Sequence, residues 1–423
     1  MQRLYDASKT PESEPQILNS IFCTIYRRWL VTAPMIGLFT VFVLLFTWLC
    51  DYVCGRCVKT GGGGGGGSST TNMPVQVTIG DIHARTSYTR RWDPRSLHIG
   101  QRKLLMNEIQ FLTTITDARP LIVYAGAAPG NKTGYLSELF PNMTMLLVDP
   151  NPFDIFAATP IYLPKDPHEA VSEMMSMSSA RIFIINDIYT SDLSRELAAA
   201  VTNPINTTTP TTPTTPTYTS IRFISDIRTG TDDVDILWNH AQQYAWIHLL
   251  SPESAMLKFR MPYYTESTEV ILNKAAEEPM ASDFALAREF GFDPLVDVKR
   301  RRITYFDGEV RIQPWAPLSS TETRLIVTKV GNRYPMHTYT NTGANSYENI
   351  MHGYNTLERD QPHVNDNANL SIGFDHCNDC ALENLIWKQY IASRKDKRSV
   401  LDHVNAISKL THRPLLRGQH GKL

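Results

Sequence analysis

The chain has 423 residues, enough for one large α/β domain with additional segments. Its 41 Lys and Arg nearly balance 42 Asp and Glu, for a formal net charge of −1, so any nucleic-acid contact is confined to a local basic patch. The six cysteines, Cys23, Cys50, Cys54, Cys57, Cys377 and Cys380, leave residues 58–376 without a thiol, which excludes a secreted disulfide scaffold.

Residues 1–28 are polar and read as a disordered tail. Trp29 to Cys50 carries no charged side chain over 22 residues, and about 33 Å of helix crosses a hydrocarbon core. Residues 29–50 are therefore expected to form a single transmembrane helix, with Trp29 and Trp48 as interfacial aromatics. Arg27 and Arg28 before it and Arg56 and Lys59 after it do not set its direction. Residues 51–75 read as a linker. Cys50, Cys54 and Cys57 suit juxtamembrane palmitoylation, and the glycine run Gly61–Gly67 suits a flexible tether. Cys54-x-x-Cys57 and His376-Cys377-x-x-Cys380 each hold half a zinc ligand set, and no metal is assigned to them.

Residues 76–350 alternate helical and strand patterns. Helices are expected at Gln101–Leu112, Thr133–Leu139, Ser191–Val201 and Asp232–Leu250. Strands are expected at Leu121–Tyr124, Met145–Val148, Arg181–Ile185, Ile221–Ile224, Ala255–Phe259 and Leu325–Lys329. That alternation predicts a mostly parallel sheet with helices on both faces and a ligand at the carboxyl ends of the strands. Residues 202–217, rich in Thr and Pro, read as a surface insertion, and residues 351–423 as a C-terminal extension. Basic runs occur at Arg90-Arg91, at 299–302 and at 394–398.

The first strand runs into Ala125-Gly126-Ala-Ala-Pro129-Gly130, and Asp149 ends the next strand 19 residues after Gly130. A Gly-rich turn lets backbone approach a ligand, and an acid at the next strand end can accept from ribose hydroxyls. The turn is not G-x-G-x-x-G, and Pro129 removes an amide that a pyrophosphate cradle would use. The pattern points to an adenosyl compound without phosphates, S-adenosylmethionine. Further on, Asp226 follows an apolar run, Lys258 lies inside one, and Glu322 heads one. Lys and Glu are seldom buried unless paired. Read alone, the turn also fits an ordinary strand–turn–helix, the charges fit water-facing strand ends, and Tyr263-Tyr264 fits core packing.

Six stretches in order carry a resemblance: Gly100-Gln-x-Lys103-Leu-Leu-x-Asn-Glu108, Gly126-x-Ala-Pro-Gly130, Leu147-Val-Asp149, Ser225-Asp226-Ile-Arg228, Leu257-Lys258-Phe-Arg260, and Gln313-Pro-Trp-Ala-Pro317 followed by Glu322-Thr-Arg324-Leu. The chain resembles the poxvirus-type cap-specific mRNA nucleoside-2′-O-methyltransferases, which also serve as small subunits of viral poly(A) polymerase. The resemblance implies a Rossmann-like methyltransferase fold using S-adenosylmethionine on capped mRNA. It implies a catalytic set of Lys103, Asp226, Lys258 and Glu322, with Lys258 as base and Lys103 the cation that helps neutralise it. Gly126, Ala128 and Gly130 would line the methionine end, with Pro129 in the same turn; Asp149 would take the ribose and Asp187 the adenine. Tyr263, Glu348 and Tyr88 would hold the cap. Two departures stand out. Thr265 occupies a position where the family has a carboxylate, and residues 266–310 form an insertion longer than the family needs.

These expectations describe a membrane-tethered enzyme that converts cap 0 to cap 1. Adenosylmethionine and RNA lie on the cytosolic side, so the domain is expected there, in a viral factory or virion. The sequons at Asn131 and Asn142 then read as unused. Competing readings are an rRNA-type 2′-O-methyltransferase, a non-catalytic processivity subunit of a poly(A) polymerase, and a structural membrane protein. The intact Lys-Asp-Lys-Glu order argues against the last.

Overall fold

A computed structural model describes residues 79–82, 100–156, 158–177, 179–202, 218–265, 267–277, 281–343, 345–359, 374 and 377–410. The expected tail, transmembrane helix and linker, Tyr88, His376 and residues 203–217 lie outside the described residues. Among the described residues no helix is long and apolar enough to cross a membrane.

Helix α1 (Gly100–Thr113) precedes strand β1 (Pro120–Ala125), followed by α2 (Thr133–Leu139), β2 (Thr144–Val148), β3 (Ile161–Tyr162), α3 (Pro167–Ser176) and β4 (Ile182–Ile185). Then come α4 (Ser191–Thr202), β5 (Ser220–Ser225), α5 (Asp233–Leu250) and β6 (Ser254–Phe259). The insertion folds as α6 (Thr268–Glu277), α7 (Ala281–Glu289), α8 (Pro294–Val298) and β7 (Arg302–Phe306). After it come β8 (Glu309–Arg311), β9 (Thr323–Thr328), β10 (Met336–Thr340), α9 (Tyr347–Gly353), α10 (Asn378–Arg394) and α11 (Val400–Leu410).

Eight strands form one sheet in the order β3-β4-β2-β1-β5-β6-β9-β8. β9 runs antiparallel to both neighbours, and the other neighbouring pairs are parallel. This is the doubly wound, Rossmann-like arrangement that the strand–helix alternation predicts. Chain order reverses between β1 and β5, which opens the ligand crevice of such sheets at their carboxyl ends. The central strands are covered on both faces, so each reads as an unbroken apolar run; all six residues of β1 are buried. Period-two alternation divides them: Leu121, Val123 and Ala125 enter one core, Ile122 and Tyr124 the other. β7 and β10 form a separate antiparallel ribbon.

α10 packs on α1 and fixes its position. Arg102 on α1 and Glu383 on α10 are both fully buried. Arg102 Nε donates to Glu383 Oε2 at 2.6 Å and Nη2 to Oε1 at 2.5 Å, while Trp315 Nε1 donates to Oε2 at 2.7 Å. Losing one partner of such a pair strands a buried charge. We expect Glu383→Ala to cost about 3–5 kcal/mol in denaturant unfolding of the purified protein. A cost below about 1 kcal/mol would mean that α1 is held by apolar packing alone.

Candidate functional site

One sheet face gathers the charges. On β6, Ala255, Leu257 and Phe259 pack in the first core, so Met256 and Lys258 face the second. On β9, Leu325 and Val327 take the first core, so Glu322, Arg324 and Ile326 share the face of Lys258. Lys258 is paired directly opposite Arg324. Asp226, just past β5, follows the same alternation from Ile224. α1 covers this face with Leu105, Met106 and Ile109 and brings Lys103 to the cluster.

The structure thus brings Lys103, Asp226, Lys258 and Glu322 together. Lys258 Nζ lies 2.8 Å from Asp226 Oδ1 and 3.9 Å from Glu322 Oε2. Lys103 Nζ donates to Glu322 Oε1 at 2.9 Å. Two arginines complete the set. Arg324 Nη1 is 2.8 Å from Asp226 Oδ1 and its Nη2 3.7 Å from Glu322 Oε1, while Arg228 pairs with Glu322 Oε2. A neutral layer steadies them. Gln313 Nε2 donates to Glu322 Oε1 at 3.2 Å, its Oε1 accepts from Arg324 Nε at 3.0 Å, and Asn107 Nδ2 reaches the same Oε1 at 3.2 Å.

Burial pulls the Lys258 ammonium below its ordinary range. Asp226 and Glu322 oppose that, and Arg324 and Arg228 push it further down. Lys103, the helping cation of the family resemblance, bonds the far oxygen of Glu322, and Arg324 and Arg228 are further cations that lower Lys258. For Asp226, burial raises the carboxyl, but Arg324 and Lys258 outweigh it and hold it low. Glu322 is lowered strongly, because Lys258, Lys103, Arg324 and Arg228 together overcome the effect of burial.

Beside this cluster lies a cavity of about 720 Å³ at the carboxyl ends of β1, β2, β4 and β5. Gly126 stands at its wall with φ +79°; a Cβ there would come within 2.8 Å of Ile227 N. Only glycine suits that backbone and that approach. Asp149 lines the cavity, and its carboxylate is oriented by the amides of Ala128 (3.1 Å) and Asn151 (2.8 Å). Ala128, Pro129 and Gly130 lie in the turn behind Gly126, outside the cavity lining; Gly130 has φ +65°. Asp187 is not brought in. Its carboxylate accepts from the amide of Ile188 at 2.8 Å and meets the exposed Lys165 at 3.4 Å. Ile188 lines the cavity instead, 63% exposed.

Sequence reasoning misses Ile188, Trp246 and the insertion's α7, whose Ser282, Asp283 and Leu286 complete the cavity wall. Asp283 Oδ1 accepts from Ser191 Oγ at 2.5 Å, which ties α7 to α4. No local motif announces these residues, because they meet only through tertiary packing. Arg228 and Arg324 are legible as motif residues, without their role as counter-charges.

A second group surrounds Tyr263. The Arg260 guanidinium sits 4.4 Å from the ring centroid, so one face of the ring carries a cation. Asp233, buried at the start of α5, accepts from the amides of Tyr263 (2.7 Å) and Thr265 (3.0 Å). Glu348 lies close enough to feel Asp233 and Arg260. Burial, helped by Asp233, raises its carboxyl to about 7 against the lowering by Asn341. Among the described residues its Oε1 is buried without a hydrogen-bond partner. The structure therefore brings Tyr263 and Glu348 together, with Asp233 as an added carboxylate. Cys377 and Cys380 are buried at the start of α10, with no disulfide between them, and no group of His, Cys, Asp and Glu suited to a metal occurs among the described residues.

No protein-family model matches the chain. It is similar to the cap-specific mRNA (nucleoside-2′-O-)-methyltransferases of Myxoma virus strains Lausanne and Uriarra. With each it shares 24% identity over 298 residues, covering 67% of this chain and 69% of the relative. A solved structure of an antibiotic-related methyltransferase matches 53% of this chain and 91% of its own, at 13% identity and a TM-score of 0.22, too low to carry an argument. The distant viral relationship, with the doubly wound sheet and its crevice, supports a methyltransferase, and such an enzyme needs a methyl donor.

The Glu348 carboxyl gives a pH signature. Its folded-state value of about 7 exceeds the ordinary 4.5, so the folded state binds the proton more tightly. The stability it contributes is full below about pH 4.5 and is lost as pH rises through about 7. Thermal melts of wild type and Glu348→Gln should therefore diverge across that window, with the variant gaining relative stability at the alkaline end. A constant offset between the two melting curves would show that Glu348 is not held protonated.

Proposed function

We propose that the chain is an S-adenosylmethionine-dependent mRNA cap 2′-O-methyltransferase acting on the first transcribed nucleotide. The carrying observation is the cluster of Lys103, Asp226, Lys258 and Glu322 beside the crevice of a doubly wound sheet. The similarity to viral cap methyltransferases supports the same reading.

The cavity fits the cofactor. Its volume lies within the range of small-molecule sites, Gly126 lets backbone approach closely, and Asp149 keeps acceptor capacity for ribose hydroxyls. Ile188 offers an apolar surface to a base. Asp187, outside the cavity lining, is not assigned a contact to the cofactor in this reading. When bound, S-adenosylmethionine supplies a methyl group activated by a sulfonium. The chain's own residues prepare the acceptor. Neutral Lys258 takes the proton from the ribose 2′-oxygen, and Asp226 and Glu322 orient its nitrogen. With Lys258 neutral, Lys103, Arg228 and Arg324 still outnumber the two carboxylates, which makes the site attractive to a polyanionic strand. Tyr263 stacks on the cationic 7-methylguanine, and Glu348 accepts from its edge, while buried Asp233 holds the backbone of Tyr263 and Thr265 in place. Residues 29–50 tether the enzyme to a membrane with this domain in the cytosol, where a poly(A) polymerase subunit is a candidate partner. Protease protection of sealed vesicles tests that topology.

Three substitutions separate the roles. Asp149→Ala should weaken S-adenosylmethionine binding by calorimetry at least tenfold, matching a charge-assisted hydrogen bond of about 1.5–3 kcal/mol. Lys258→Ala should abolish methyl transfer to cap-0 RNA while leaving binding of cofactor and RNA nearly intact. In wild type, the rate should rise with pH through a value below that of an ordinary lysine, since only the neutral amine accepts a proton. Tyr263→Ala should weaken binding of capped RNA and spare uncapped RNA. Activity surviving Lys258→Ala would remove the proposed base, and equal activity on uncapped RNA would favour an rRNA-type enzyme.

A further inference from the structure

The insertion carries a basic turn. Lys299, Arg300 and Arg301 follow α8 and are all exposed. They make no ion pair among the described residues. The neighbouring acid is already engaged: Asp297 accepts from Arg302 Nε at 2.6 Å, Thr304 N at 3.0 Å and Thr304 Oγ1 at 2.8 Å. Three adjacent cations thus face solvent with no ion-pair partner among the described residues, and Arg301 stands near enough to Glu348 to lower its carboxyl. Most such runs are merely solvated, so what matters is where this one sits.

Asn341 fixes that position. It is buried, and it joins three segments: its N–H donates to Arg301 O at 2.8 Å, its Nδ2 donates to Pro262 O at 2.9 Å, and its Oδ1 accepts from Glu348 N at 3.2 Å. A second tie runs from Tyr264 OH to Arg302 O at 3.2 Å. The basic turn is therefore bolted to the residues that flank Tyr263 and to the backbone of Glu348. It lies beside the group formed by Tyr263 and Glu348. Arg301 holds φ at +47°, outside the usual range of a non-glycine residue, so these ties define its backbone.

We propose that Lys299, Arg300 and Arg301 bind the 5′-terminal phosphates of an RNA strand whose end group occupies the Tyr263 pocket. The inference rests on the functional reading above. A base stacked on Tyr263 is covalently followed by phosphates, each bearing negative charge, and the exposed cations of the adjoining turn attract them. These cations would add affinity and orientation without reading sequence. The insertion, longer than the family pattern needs, would then be a phosphate clamp.

The test is fluorescence anisotropy with the full chain in detergent. The probes are one short oligoribonucleotide carrying a 7-methylguanosine cap and the same strand with a plain 5′-triphosphate. The triple variant Lys299→Ala, Arg300→Ala, Arg301→Ala should bind capped RNA at least tenfold more weakly at low salt. Its log–log salt slope should shrink by about 0.7 for each phosphate that is no longer neutralised. S-adenosylmethionine affinity should stay unchanged, which reports an intact fold. Lysines at positions 300 and 301, in Arg300→Lys with Arg301→Lys, should retain most of the binding. Equal affinity and slope in wild type and triple variant would overturn the clamp. So would a turn that binds phosphatidylserine vesicles in preference to either RNA. A wild type without cap preference, but with RNA binding abolished in the triple variant, would support the clamp and sink the cap reading instead.

Discussion

Glu322 is the anchor of the site. One carboxylate bonds Lys103 and Arg228 and stands within 4 Å of Lys258 and Arg324. Two like charges about 4 Å apart repel by roughly 4 kcal/mol at an effective dielectric of 20. Four cations converging on one sheet end would scatter without a buried counter-charge. Asp226 supplies the second, shared between Lys258 and Arg324. Every other feature of the site presumes this compensation, including the depth at which Lys258 sits.

The sheet makes that compensation reachable. Side chains alternate along β6 and β9, so a strand position that keeps Lys258 facing away from the first core also turns Arg324 and Glu322 to meet it. The reversal of strand order between β1 and β5 leaves a gap at their carboxyl ends, with Gly126 on one side and Ile227 on the other. The cavity and the charge cluster therefore meet along one edge, at Ile227 and Arg228. The buried Arg102–Glu383 pair holds α1 over the same face, one residue from Lys103.

Much of this is legible in the sequence, for local reasons. Strands β1, β2, β4, β5 and β6 are buried on both faces, so composition alone marks them, and Gly126 and Asp149 sit at strand ends where pattern reading is strong. The charged quartet is visible because Lys and Glu inside apolar runs are unusual. What stays hidden is what long-range packing decides. α7 reaches the cavity from a segment with no motif, and the two-residue β3 and three-residue β8 are too short to signal themselves. Asp187 lies outside the cavity lining for a related reason. A strand-end acid has the right sequence position for a ligand, but its side chain closes on the next amide. Asp233 has the sequence position of an ordinary helix-start residue, yet its carboxylate bridges the amides of Tyr263 and Thr265.

The arginines explain how the site can hold a titrating lysine at all. Arginine does not give up its proton in proteins, so of the four cations only Lys103 and Lys258 can change charge. Suppose Lys258 loses its proton. Asp226 still has Arg324 at 2.8 Å, and Glu322 still has Arg228 and Lys103. Neither carboxylate is left buried and unpaired, which is the state that makes breaking an internal ion pair costly. In the charged form, Lys258 has Asp226 at 2.8 Å, so that state is also satisfied. The two carboxylates are thus paired in either protonation state of Lys258. Were Arg324 replaced by a neutral residue, Asp226 would lose its guanidinium partner at 2.8 Å, and Lys258 would lose one of the two cations that lower it.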